Sequence, residues 1–72
     1  MECLIYLREM IETYFDEGED NITFNHIIGF LLCLQIINYD YVDLLELWSD
    51  KETEKVLEKV NQLIEKEENN GN

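Results

Sequence analysis

Between Ile27 and Ile37 the chain runs Ile-Ile-Gly-Phe-Leu-Leu-Cys-Leu-Gln-Ile-Ile, apolar around nearly every side if wound as a helix. A helix of that kind demands cover on all faces. A membrane would supply it, but about twenty predominantly apolar residues are needed to cross one. Asn25, His26, Gln35 and Asn38 interrupt this run well short of that. A strand over 30–37 finds neither alternation nor a partner strand. The cover must come from other helices or from a second copy of the chain.

The rest of the sequence offers such helices. Residues 2–17 place Cys3, Leu4, Leu7, Met10, Ile11, Tyr14 and Phe15 in the i, i+3, i+4, i+7 recurrence of an amphipathic helix. Gly18 suits the C′ position that ends it. Asp20, Asn21 or Thr23 is placed to cap a second helix over about 23–38. Asn38-Tyr39-Asp40 reads as a break, followed by a short third helix with Tyr41, Leu44, Leu45 and Trp48 on one face. Ser49-Asp50-Lys51-Glu52 has the form of a capping box, which puts the start of the fourth helix at Ser49. That helix carries Val56, Leu57, Val60, Leu63 and Ile64 on one side.

The expected fold is all-α, a small bundle of three to four short helices, with the second helix central and the first and fourth packed on it. Residues 1–68 form a single helical domain and 69–72 a disordered tail. A chain of 72 residues buries only about 60% of its unfolded surface, so it is marginal alone. A homodimer that buries the second or fourth helix in an isologous interface is expected to complete it.

Charge sets the second constraint. The chain has 17 acidic residues against five basic ones, a net of −12. Residues 1–50 hold eleven of the acids and a single base, Arg8, a net of −10. Residues 51–72 mix four lysines with six glutamates, like an ordinary soluble helix. On a helical projection Glu2, Glu9, Glu12 and Asp16 fall within about 80° of one another, opposite the apolar side. Asp40, Asp43, Glu46 and Asp50 form a second stripe if residues 40–50 are continuous helix. Asp16, Glu17, Glu19 and Asp20 crowd the first turn, where the first two meet the negative end of a helix dipole.

Amphipathic helices need a polar face, and solubility alone accounts for many charge runs. A merely solvated face, however, gains about 0.2–0.5 kcal/mol from each opposite-charge i, i+4 pair and loses as much from like pairs. Bases are withheld where they would help. We therefore expect Glu2, Glu9, Glu12, Asp16, Glu17, Glu19, Asp20, Asp40, Asp43, Glu46 and Asp50 to contact a basic protein surface, such as the phosphate-binding channel of a nucleic-acid-handling protein. The module is expected to inhibit that protein as a nucleic-acid mimic. The alternative is a structural or assembly adaptor whose contacts come from the second helix or from Tyr39, Tyr41 and Trp48. The absence of proline and alanine, with abundant Ile, Asn, Lys and Glu, points to AT-rich coding and to a phage, virus or plasmid of a low-GC host.

No catalytic constellation accompanies the acid. Segment 15–26 fails as a calcium loop, with Phe15, Asp20 and His26 at the positions where the first ligand, the glycine and the bidentate glutamate belong. His26 lacks a second ligand at metal spacing and is expected to cap or pack in the core. Pairing it with Cys33 as base and nucleophile would need a third, orienting group. Cys3 and Cys33 are expected to be reduced, partly buried thiols. Gly29 and Cys33 form one small-xxx-small pair, which identifies nothing by itself. The N-terminal segment has no basic n-region and is interrupted by Glu2, Arg8 and Glu9, so no signal peptide is expected. The expectation is thus a cytoplasmic, non-enzymatic protein with no cofactor, no metal, no membrane contact and no direct nucleic-acid binding.

Overall fold

The computed structural model describes residues 2–37 and 41–70, whose regular structure is helical: α1 (Glu2–Asp16), α2 (Asn21–Ile37), α3 (Val42–Ser49) and α4 (Thr53–Asn70). The expected break at Asn38, Tyr39 and Asp40 and the last two residues of the expected tail, Gly71 and Asn72, lie outside the described residues.

Each reversal has a local cause. At the end of α1, Gly18 adopts φ +86° and Glu19 φ +59°. The amide of Glu19 donates to the Tyr14 carbonyl (2.9 Å) and that of Gly18 to Phe15 (3.5 Å), closing a Schellman motif with glycine at C′. Asp20 then caps α2. Its Oδ1 accepts the Thr23 amide (2.7 Å), its Oδ2 accepts the Thr23 hydroxyl (2.9 Å), and its carbonyl accepts the Phe24 amide (3.1 Å).

The second Schellman motif corrects the expected start of the fourth helix. Ser49 is the last residue of α3, and α4 begins at Thr53. Lys51 takes φ +64°, the Glu52 amide reaches the Leu47 carbonyl (2.9 Å) and the Lys51 amide reaches Trp48 (3.0 Å). A capping-box serine must leave helical geometry, but Ser49 is held in α3 by the turn that delivers Trp48 to the core. Glu52 takes the cap position instead: its carbonyl accepts the Val56 amide, and its carboxylate lies 3.7 Å from Lys55.

The helices form a closed ring. α1 packs on α2 and α4, and α3 packs on α2 and α4, while among the described residues the backbones of neither diagonal pair approach closely; α1 and α3 touch across the core through the rings of Tyr14 and Trp48. The expectation that the fourth helix packs on the second is therefore wrong. Short connections make sequential neighbours antiparallel, and in a four-cornered bundle the diagonals lie beyond the roughly 8–10 Å spacing of packed helices.

Leu4, Leu7 and Ile11 of α1, Ile27, Leu31 and Leu34 of α2, Leu44 of α3, and Val56, Val60 and Ile64 of α4 make the aliphatic core. One end is aromatic. Tyr14 meets Trp48 edge-on at 5.1 Å, and Phe24 stacks on Trp48 at 5.2 Å. The fully buried Trp48 donates its indole N–H to the Phe24 carbonyl at 3.1 Å. Such a side chain is no surface anchor, so Trp48 drops out of the aromatic contact patch considered from sequence. Tyr39 lies outside the described residues, and Tyr41 packs half-buried against the core. No helix among the described residues is long and apolar enough to cross a membrane.

Candidate functional site

Packing Leu4, Leu7, Ile11 and Tyr14 inward turns the opposite side of α1 to solvent, and Glu2, Glu9, Glu12 and Asp16 are all exposed there. Glu17 and Glu19 extend this surface over the turn. Arg8 does not interrupt it: from the flank of α1 its guanidinium donates to Asn61 Oδ1 of α4 (3.3 Å). The result is a run of carboxylates about 21 Å long, at 1.5 Å of rise per residue from Glu2 to Asp16, with no base among them.

Asp20 differs from its neighbours. It is half-buried, and the Thr23 amide, followed by the Thr23 hydroxyl, holds its carboxyl below the ordinary range. Its oxygens are engaged in capping α2, so the turn leaves Asp16, Glu17 and Glu19 exposed to solvent rather than all four acids. The same turn acts on Tyr14. Burial raises its phenol above the usual value, and the negative charges of Glu19 and Asp20 add to the effect.

On α3, Asp43 and Glu46 are exposed on the side away from Leu44 and Trp48. Asp50 is exposed at the C-cap, its amide donating to Glu46 (3.0 Å). Asp40 lies outside the described residues. The two stripes do not merge. α1 and α3 occupy diagonal corners of the ring and turn their acids outward, so the chain presents two separate acidic surfaces. The second is also milder, because a groove beside Asp43 is lined by Lys59 and Lys66 of α4.

A third surface was only half legible in the sequence. α2 contains no Asp, Glu, Lys or Arg, yet α1 and α3 cover only its inner side. Ile22, Ile36 and Ile37 are 83%, 86% and 75% exposed, with Leu32 also exposed. Gly29 lies on the same face, and a Cβ built there meets nothing within 4 Å. Beside the N-terminal half of this face, an open groove between α1 and α2 is lined by Tyr6, Met10, Ile22 and His26, with Glu9 at its edge. Farther along, Tyr6 packs on Phe30 at 5.4 Å.

Two minor expectations change here. His26 is exposed on this groove and neither caps nor packs in the core. Cys3 and Cys33 are free but exposed rather than partly buried. Cys33 and His26 are seven residues apart on one helix, about 10 Å of rise, too far for a base to activate a thiol. No group of three or more His, Cys, Asp or Glu side chains among the described residues converges as metal ligands would.

Against known protein families, curated proteins and solved structures, the chain has no match.

Proposed function

We propose that this protein is a non-enzymatic acidic interaction module that occupies a basic surface on a nucleic-acid-handling protein and inhibits it, acting as a homodimer in the cytoplasm. The observation that carries this reading is the outer face of α1. It exposes Glu2, Glu9, Glu12 and Asp16 without an intervening base, while Arg8 is turned aside to Asn61. Phosphate-binding surfaces gather Lys and Arg, and a rigid helix bearing carboxylates about a turn apart presents them with a preorganised anionic ridge. Glu17 and Glu19 lengthen the ridge; the stripe of Asp40, Asp43, Glu46 and Asp50 is a separate, weaker contact. The source is read as a phage, virus or plasmid.

The test is a charge reversal. Glu9→Lys, Glu12→Lys and Asp16→Lys together should abolish capture of the basic partner while helical circular dichroism persists. Asp40→Lys, Asp43→Lys and Glu46→Lys should weaken capture less. Undiminished binding by both triple variants would exclude the mimic.

The exposed isoleucines of α2 favour a second reading, an assembly or adaptor protein whose apolar face contacts another subunit and whose acidity serves solubility. Salt separates the two. A charge-driven complex loses affinity between about 50 and 200 mM salt, and an apolar contact does not.

A further inference from the structure

We infer that two copies of the chain pair through antiparallel α2 helices, with the two-fold axis passing at Gly29 and with Ile36 and Ile37 of each copy seated at the mouth of the α1–α2 groove of the other. This rests on the homodimer proposed above and specifies its geometry. Gly29 is the midpoint of Asn21–Ile37, eight residues from either end. An axis there sets Ile22 opposite Ile36 of the partner subunit and His26 opposite Leu32 of the partner subunit. The face is thereby self-complementary, as an isologous interface requires: its C-terminal half projects Ile36 and Ile37, and its N-terminal half borders the groove lined by Tyr6, Met10 and His26. The free space above Gly29 lets the two backbones approach closely at the axis.

The occupant is a second copy on three grounds. The helix has no Asp, Glu, Lys or Arg with which to select a strongly charged partner, and on a chain of net −12 it is the strip along which two copies approach with least repulsion. Antiparallel pairing also sets the helix dipoles in opposition. The size fits as well: α2 is about 25 Å long, and with the neighbouring strip of α1 the footprint is about 20 Å wide. Once corrugated, that area is on the order of the roughly 800 Å² per partner of a standard interface.

The experiment uses the full chain with Cys3→Ser and Cys33→Ser, after sedimentation of the unmodified protein. Sedimentation should give a dimer at micromolar concentration. Under mild oxidation Gly29→Cys should cross-link with itself. Chains carrying Ile22→Cys should cross-link to chains carrying Ile36→Cys when mixed, at least tenfold faster than either cross-links alone. Gly29→Arg has room in the protomer and should weaken dimerisation by about 100-fold without loss of helicity. A dimer in which Ile22→Cys links mainly to itself is parallel, and one in which none of these cysteines links is built on another face; either result overturns the pairing and leaves the homodimer standing. A strict monomer overturns both.

Discussion

The indole N–H of Trp48 reaches the carbonyl of Phe24 at 3.1 Å, and the two rings stack at 5.2 Å, so a single side chain of α3 is bonded to α2 through its edge and its face. α3 has only eight residues, too few to persist as a helix alone. Trp48 supplies its anchorage, and Tyr14 extends the contact to α1.

Trp48→Ala should therefore cost about 3–5 kcal/mol, most of the roughly 4–10 kcal/mol expected of a domain this size. The variant should be largely unfolded at 37 °C. Trp48→Phe keeps most of the apolar contact, loses the hydrogen bond and should unfold between the two. Chemical denaturation followed by far-ultraviolet circular dichroism ranks the three proteins; equal midpoints for Trp48→Ala and the parent would contradict the role assigned to this ring.

Asp20 predicts a response to acid. Its carboxyl is held below its ordinary value of 3.8 by the Thr23 amide and hydroxyl, so the folded state binds a proton less readily than the unfolded one. The stabilisation is complete above the ordinary value and is lost as pH falls through the lowered one. At pH 7 Asp20→Ala should melt several degrees below the parent. That gap should narrow between pH 4 and pH 2, as the parent loses the same interaction. A gap that stays constant would show that the carboxylate is not the capping group.

Tyr14 predicts the opposite limit. Burial, reinforced by Glu19 and Asp20, raises its pKa above 10.0, so the folded state holds the phenolic proton more tightly than the unfolded chain does. The contribution is fully present below pH 10 and disappears as pH rises through the raised value. The parent should lose stability relative to Tyr14→Phe between pH 9.5 and pH 11.5, measured as the difference in denaturation midpoint. Parallel pH profiles would contradict the shift.

Local chemistry was the most legible part of this molecule. Gly18 at C′, a cap at Asp20, Asn21 or Thr23 that the structure narrows to Asp20, and the inward spacing of Leu4, Leu7, Ile11 and Tyr14 follow from backbone sterics and a 3.6-residue period, which a sequence displays directly. Ser49 misled because two local devices compete for the same four residues, and burial of Trp48 decides in favour of α3. The apolar run of α2 announced a need for cover without showing which side would go uncovered, since that depends on the ring order of helices. The acidic stripe of α1 was legible as a face, whereas its separation from the acids of α3 depends on the diagonal placement of the two helices. The apolar recurrence of α1 took in Cys3, which the structure leaves exposed, and His26 and Cys33 lie on the side of α2 whose lack of cover the sequence did not show.

Salt should act on the three proposed properties with different signs, which makes it the most discriminating variable. A net charge of −12 repels itself within the folded chain, and at 0.15 M ionic strength exposed charges more than about 8 Å apart are largely screened. Raising sodium chloride from about 20 to 500 mM should increase the melting temperature by a few degrees and tighten dimerisation, because two protomers of like charge are being joined through an uncharged face. Over the same range the complex with a basic partner should weaken at least tenfold, since screening removes the attraction that the exposed ridge of Glu9, Glu12 and Asp16 provides. Scanning calorimetry, sedimentation and titration against the partner measure the three responses on one preparation. If stability, dimerisation and partner binding all rise together, the acid serves only to keep the chain soluble and the partner is held by apolar contact; a rise in the first two with a fall in the third identifies the acidic ridge as the binding surface.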